Sequence, residues 1–208
     1  MDKKTLLIYG ITDDKLLDGR DFCACVEEAL KGGVTILQLR EKNADRRSLI
    51  DRAKRVKEIC VKYNVSLIIN DDYKAAVEAG ADGVHLGTED ESIETVRKNV
   101  GDGFIIGATA KTVSQAAAAE AAGADYLGVG AVFSSPTKTN AVRITKEMFH
   151  DIRNSTSLPM VAIGGINADN LAGLRDLGAD GFAFVSAIFG QGDIMKSTRG
   201  LKNIIETF

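Results

Sequence analysis

The chain has 208 residues, of which 45 % are hydrophobic and 26 % are charged, and its formal net charge is −3 at pH 7. This length and apolar content suffice for one packed core, and the mixed charges exclude a basic nucleic-acid arm and a basic membrane surface. No signal-peptide hydrophobic region precedes the first strand and no apolar run approaches the roughly 20 residues that span a bilayer, so we expect a soluble, cytoplasmic protein.

Short apolar runs alternate with longer helical patterns along the whole chain. In the helical patterns apolar residues recur at every third and fourth position, whereas the short runs end in turn residues and predict strands. Eight strands are predicted, at 5–9, 34–39, 65–70, 83–86, 104–108, 126–129, 160–163 and 181–185. No linker or change of composition interrupts them, which favours a single domain over residues 1–208.

The tripeptide Gly-Ala-Asp stands directly before a predicted strand three times, at 80–82, 123–125 and 178–180. The glycine suits the left-handed position that ends a helix, so the same helix-to-strand connection is used repeatedly. Strands that are apolar on both faces and alternate with helices indicate a parallel sheet covered by helices. Eight such units predict an α/β fold, a (β/α)8 TIM barrel, with an open doubly wound sheet as the alternative.

Glycines and small polar residues follow the last two predicted strands. In either fold, chemistry belongs at the carboxyl ends of the strands, and in barrels the loops after strands 7 and 8 commonly bind phosphate. Gly164 and Gly165 follow strand 7 and permit close approach of a ligand to main-chain N–H groups. Val185 and Ser186 close strand 8. These residues predict one phosphate site.

Cations and carboxylates follow other strands and predict a second anionic group. Arg40, Lys42 and Lys138 lie just past strand ends and suit phosphate oxygens. Asp71 and Asp90 follow neighbouring strands, and two facing carboxylates call for a cation such as Mg²⁺, which also binds substrate phosphates. The combination predicts a diphosphate–Mg²⁺ site.

The remaining polar candidates are assigned simpler roles. Asn70 is expected to donate to a diphosphate oxygen, and Asp72 is expected to cap the following helix. His85 lies inside strand 4 and is interpreted as a structural histidine, while His150 is expected at the surface. The three cysteines, Cys23, Cys25 and Cys60, complete no metal-site spacing and are interpreted as reduced thiols.

Taken together, the strand ends resemble the thiamine-phosphate synthase family. The matching segments run in family order from 9 to 188: YGITD, QLREK, NDD, DGVHLGTED, IGATAKT, GADYLGVGAVFSSPTK, VAIGGI and FVSAI. The resemblance implies condensation of hydroxymethylpyrimidine diphosphate with hydroxyethylthiazole phosphate, with Mg²⁺ as cofactor. No enzyme nucleophile is required, because neutralising the departing diphosphate and holding the acceptor close would suffice.

The resemblance also implies a role for individual residues. Arg40, Lys42, Thr109 and Lys138 would be catalytic, and Asp71 and Asp90 would bind Mg²⁺. The pyrimidine diphosphate would be bound by Gln38, Leu39, Arg40, Glu41, Lys42, Asn70, Thr109 and Lys138, and the thiazole phosphate by Ser135, Pro136, Thr137, Gly165, Val185 and Ser186.

Two other functions remain open at this point. A sister barrel, the thiazole tautomerase, keeps the thiazole-phosphate site but needs a general base, commonly a histidine where Lys111 stands here. A barrel that only senses a phosphate ligand would need about half of these residues. The presence of both Asp71 and Asp90 favours the synthase.

Overall fold

Eight parallel strands close into a barrel in a computed structural model that describes residues 1–42, 44–134 and 143–208. Each strand pairs with its neighbour in chain order, and the first pairs with the last. The strands are β1 Ile8–Ile11, β2 Ile36–Leu39, β3 Ser66–Asn70, β4 Gly83–Leu86, β5 Ile105–Ala110, β6 Tyr126–Gly130, β7 Met160–Ile163 and β8 Gly181–Phe184. The predicted (β/α)8 fold is confirmed.

Helices cover the outside of the barrel between successive strands. They are α1 Phe22–Gly32, α2 Arg46–Lys62, α3 Tyr73–Ala79, α4 Ile93–Val100, α5 Val113–Ala121, α6 Lys146–Asn154, α7 Ala168–Leu171, α8 Ser186–Phe189 and α9 Ile194–Ile205. Short 3-10 helices occupy Lys3–Leu6, Asp14–Leu16 and Ala172–Leu177. Within the described ranges, no helix is both long and apolar enough to cross a membrane.

Side-chain caps explain where several helices begin. Asp72 accepts a hydrogen bond from the main-chain N–H of Ala75 and is the N-cap of α3, as predicted. It also receives two hydrogen bonds from Arg46 on α2, at 2.8 and 2.7 Å. Asp72 therefore joins two helices and has a structural role.

The first strand is displaced from its predicted position. Residues 5–9 were expected to form it, but Thr5 and Leu6 belong to a 3-10 helix that Asp2 caps, and the strand begins at Ile8. Leu6 is fully buried in the apolar cluster inside the barrel. Leu6, the first apolar residue of this run, closes the bottom of the barrel instead of pairing in the sheet. Its apolar character therefore made the predicted strand begin too early.

The three Gly-Ala-Asp turns share a hydrogen-bond pattern. Each aspartate accepts from a main-chain N–H of the preceding odd-numbered strand: Asp82 from Leu67 at 2.7 Å, Asp125 from Ile106 at 2.7 Å and Asp180 from Met160 at 2.9 Å. Each also pairs with a cation on the helix that comes before that odd-numbered strand: Lys57 on α2, Arg97 on α4 or Arg153 on α6. Thr35 takes the equivalent place before β2 and accepts from the N–H of Ile8 at 2.9 Å.

Side chains alternate between the inside and the outside of the barrel. The inner apolar cluster contains Leu6, Tyr9, Ile11, Ile36, Ile68, Tyr126, Val161 and Ala183. A larger apolar cluster lies between the sheet and the helices. Polar inward-facing residues therefore lie above this closed, mainly apolar layer, at the carboxyl ends of the strands.

Candidate active site

A cavity of about 210 Å³ opens at the carboxyl ends of the strands. Among its lining residues are eight that the sequence singled out for ligand binding: Gln38, Arg40, Asn70, Thr109, Gly164, Gly165, Val185 and Ser186. A second cavity of about 630 Å³ is lined by Arg40, Glu41, Lys42 and Ser186, among others. Because Arg40 and Ser186 line both, the two cavities adjoin.

Not every predicted residue presents its side chain to these cavities. Leu39 is fully buried in the outer apolar cluster, so only its main chain can approach a ligand. Ser135, Pro136, Thr137 and Lys138 lie outside the described residues.

The segment Arg40–Lys42 is held by protein contacts that leave its cations available. The main-chain N–H of Arg40 donates to Thr12 Oγ1 at 3.0 Å. Glu41 accepts from Arg52 at 2.5 Å, and the Arg52 guanidinium lies 4.7 Å from the centre of the Phe22 ring. Burial raises the pKa of Glu41, and Arg52 opposes that rise. Glu41 thus anchors the segment, while Arg40 and Lys42 form no ion pair with any described residue.

Asp71 and Asp90 come together after β3 and β4. Asp71 has a φ of 66°, and its main-chain N–H donates to the His85 carbonyl at 2.9 Å. Its pKa rises to about 6, because its carboxyl is partly buried and then because it contacts the Asp90 carboxyl; Arg40 and Asn70 oppose this. Asp90 also accepts from the N–H of Gly87 at 2.6 Å.

The paired carboxylates suit a hard divalent cation. Among the described residues no three His, Cys, Asp or Glu side chains gather into a potential metal site, here or elsewhere, so these residues offer a cation only the two carboxylates. A cation here would need further oxygens from water or from a ligand, which is the way Mg²⁺ is usually bound beside phosphates. The donor set therefore fits Mg²⁺.

Glycine is required at both positions after β7, because of the backbone conformation there and because of close packing. Gly164 and Gly165 have φ values of 107° and 63°. A Cβ on Gly164 would lie 2.5 Å from the Ala131 Cβ, and one on Gly165 would lie 2.5 Å from the Ser134 carbonyl oxygen. The pair lets the loop after β7 pack closely against the loop after β6, and both glycines line the cavity.

The floor of the cavity carries a chain of polar side chains from five strands. The Gln38 amide nitrogen lies 2.8 Å from the Tyr9 hydroxyl, which is 2.6 Å from the Tyr126 hydroxyl. His85 lies 3.1 Å from Tyr126 through Nδ1 and 3.1 Å from Thr109 through Nε2. Burial raises the pKa of both phenols and lowers the pKa of His85 to about 4, although the Asp90 charge opposes the latter shift.

The sequence analysis identified only some of these hydrogen-bonded side chains. His85 has two hydrogen-bond partners, as expected of a structural histidine, but it also lines the cavity. His150 is exposed, and the three cysteines are free thiols, as predicted. Tyr9 and Tyr126 were missed, although the inward alternation of Tyr126, Gly128 and Gly130 along β6 offered a signal.

Two inward-facing glycines make room for these rings. A Cβ on Gly107 would collide with the ring and hydroxyl of Tyr126, and one on Gly128 would lie 3.0 Å from the His85 ring. The polar chain at the cavity floor therefore depends on small residues in β5 and β6.

We expect Gly107→Ala to destabilise the protein, because the added methyl group must displace the Tyr126 ring from a packed interior. Overpacking of this kind typically costs about 1–3 kcal/mol. Gly200 on α9 is exposed and an added Cβ there meets nothing within 4 Å, so Gly200→Ala should stabilise by about 0.5–1 kcal/mol. Urea denaturation of both variants measures the difference, and an equal effect of the two would contradict the packing argument.

Known proteins resemble this chain over nearly its whole length. Residues 8–188 match the family model described as thiamine monophosphate synthase. The thiamine-phosphate synthase of Fusobacterium nucleatum is 46 % identical over 210 residues and covers 100 % of both chains. That of Clostridioides difficile is 44 % identical over 93 % of this chain and 92 % of its own. The structure of thiamine phosphate pyrophosphorylase from Pyrococcus furiosus has a TM-score of 0.91 at 38 % identity, covering 99 % of this chain and 98 % of that one.

Proposed function

The chain belongs to the thiamine monophosphate synthase family and is a transferase, and from this premise we propose its substrates. They are hydroxymethylpyrimidine diphosphate and hydroxyethylthiazole phosphate, which condense to thiamine phosphate and diphosphate. The observation that carries the proposal is that the cavity unites residues suited to two anionic groups on two different stretches of its rim. Arg40 and Asn70 lie on the side of β2 and β3, and Gly165 and Ser186 lie on the side of β7 and β8.

Arg40, Lys42, Asn70 and Thr109 are proposed to bind the diphosphate. Arg40 and Lys42 supply charge, and neither is neutralised by an ion pair with a described residue. Asn70 and Thr109 supply hydrogen-bond donors at the cavity wall. Lys138 is proposed, from its sequence position alone, to join this set. The thiazole phosphate would lie against Gly165, Val185 and Ser186, with Ser135, Pro136 and Thr137 assigned from sequence.

Asp71 and Asp90 are proposed to hold Mg²⁺ together with the diphosphate. Their carboxylates contact each other, and the repulsion between them is relieved when a cation lies between. Bound there, Mg²⁺ would supply further positive charge to the leaving group.

The proposed reaction replaces one bond by another without an enzyme nucleophile. The bond between the pyrimidine methylene carbon and the diphosphate oxygen breaks, and its electron pair leaves with the diphosphate. The thiazole nitrogen then donates its lone pair to that carbon and forms the new C–N bond. The cations lower the barrier by stabilising charge that grows on the diphosphate, and the cavity holds the thiazole within reach.

Turnover of both substrates together tests this function directly. We expect thiamine phosphate and diphosphate to appear in equal amounts, and neither to form when one substrate is omitted. Isomerisation of a thiazole phosphate without diphosphate release would instead support a tautomerase. Binding of thiazole phosphate with no turnover of any kind would support a phosphate-binding barrel.

A further inference from the structure

The hydroxyl pair at the cavity floor joins distant parts of the chain. Tyr9 on β1 and Tyr126 on β6 are 117 residues apart in sequence, and both rings are almost fully buried. Together they connect Gln38 on β2 to His85 on β4, and His85 continues to Thr109 on β5. Gln38 and Thr109, the two ends of this hydrogen-bonded series of side chains, both line the cavity.

The donor groups fix the direction of the first two hydrogen bonds. The Gln38 amide nitrogen can only donate, so the Tyr9 oxygen accepts from it. Tyr9 then has one proton, and the hydroxyl of Tyr126 at 2.6 Å is its acceptor. If the Tyr9–Tyr126 bond ran in the opposite direction, the Tyr9 proton would find no acceptor among the described residues.

The remaining two hydrogen bonds follow from the first two. Tyr126 accepts from Tyr9, so its own proton goes to His85 Nδ1 at 3.1 Å, and Nδ1 therefore carries no proton. A neutral imidazole then has its proton on Nε2, which donates to Thr109 Oγ1 at 3.1 Å. Because Thr109 Oγ1 accepts this hydrogen bond, its own proton remains available to donate to a partner outside this series of side chains.

We propose that Tyr126 is a positioning residue that holds His85 with its proton on Nε2 and so directs the Thr109 hydroxyl proton into the cavity. Thr109 thereby has its hydroxyl proton free to donate, which suits an anionic oxygen. At the other end of this series of side chains, Gln38 donates one amide N–H to Tyr9, and its amide oxygen remains an acceptor for a ligand. The catalytic consequence rests on the proposed function, in which Thr109 donates to a diphosphate oxygen.

The tautomer of His85 tests the proposal without any substrate. The chain has only 2 histidines, so long-range ¹⁵N–¹H spectra contain two ring systems, and His150→Gln identifies the one from His85. We expect Nδ1 to be unprotonated and Nε2 protonated at neutral pH in the wild type. The same is expected in Tyr9→Phe, because His85 Nδ1 remains the acceptor for the Tyr126 hydroxyl proton among the described residues. In Tyr126→Phe, Nδ1 loses its donor, and the two tautomers should become mixed. A protonated Nδ1 in the wild type, or an unchanged tautomer in Tyr126→Phe, would overturn the proposal.

Kinetics of the same two variants separate positioning from simple structural damage. Each removes one buried hydroxyl from a tyrosine of the inner cluster, so their effects on folding are matched. Tyr9→Phe should chiefly raise KM for the pyrimidine substrate through Gln38, whereas Tyr126→Phe should lower kcat about tenfold, less than the roughly 10²–10³ lost with a transition-state donor itself. In a Thr109→Val background, Tyr126→Phe should have little further effect on kcat, because it acts through Thr109. Full additivity of these two changes would refute that route, while the histidine spectra would still report on the tautomer if the proposed substrates proved wrong.

Discussion

Asp71→Asn should lower kcat by roughly 10²–10³, the range seen when one group that stabilises transition-state charge is removed. The proposed reason is that Asp71 and Asp90 jointly hold Mg²⁺ beside the departing diphosphate. Asparagine tolerates the positive φ of 66° at this position, so backbone strain should not add to the effect. The variant should also need a higher Mg²⁺ concentration for half-maximal rate, which a titration of initial rate against Mg²⁺ measures.

The neighbouring carboxylate provides a matched control for this prediction. Asp72→Asn removes the same charge one residue away, but Asp72 caps α3 and pairs with Arg46 outside the cavity. Asparagine also caps helices, and a pair this exposed contributes about 0–1 kcal/mol, so stability should change little and turnover should be retained. Equal losses of turnover in the two variants, or an unchanged Mg²⁺ requirement in Asp71→Asn, would argue against the metal assignment.

Arg40→Gln should lower kcat/KM for the proposed pyrimidine diphosphate substrate by about 10²–10³, because a guanidinium proposed to stabilise growing charge is replaced by a neutral amide. Arg40 lines both cavities and forms no ion pair with a described residue, so its charge is available to the ligand. Calorimetry with inorganic diphosphate should show weaker binding as well. Arg40→Lys should recover part of both losses, since it keeps the charge without the two-pronged geometry.

A second arginine provides the control for the change in net charge. Arg47 on α2 is exposed and is not among the residues that line either cavity. Arg47→Gln changes the net charge of the protein equally and should leave diphosphate binding and kcat/KM near the wild-type values. If the two glutamine variants behaved alike, the role of Arg40 would be long-range attraction instead of direct contact.

Much of the fold followed from local patterns in the sequence. The alternation of apolar runs with helical stretches predicted eight strands, and the strand ends located Arg40, Asn70 and Ser186 on one rim because every strand of a parallel barrel points the same way. The first strand was misplaced because Leu6 is apolar for a different reason: it fills the barrel bottom. Nothing in a local pattern distinguishes these two uses of a leucine.

The cavity floor could not be predicted in the same way. The hydrogen bond between Tyr9 and Tyr126 joins residues 117 positions apart, and its partners lie on strands that are not adjacent in the barrel. Gly165 was interpreted as giving a ligand access to the main chain, whereas the structure also shows that its Cβ would strike Ser134. Contacts across the barrel and between loops depend on three-dimensional closure, which residue spacing does not encode.

The turns before the even-numbered strands give the barrel a modular construction. The residues Thr35, Asp82, Asp125 and Asp180 each exchange at least two hydrogen bonds with the odd-numbered strand just before them. The chain is thus four successive two-strand modules, each closed by its own side chain at the end of the barrel away from the cavity. New termini placed between modules, such as in the exposed turn near Gly101 before β5, would interrupt none of these closures. Circular permutants opened there should refold with the cavity intact. Two successive modules make a half-barrel, which is a unit for assembling barrels by duplication.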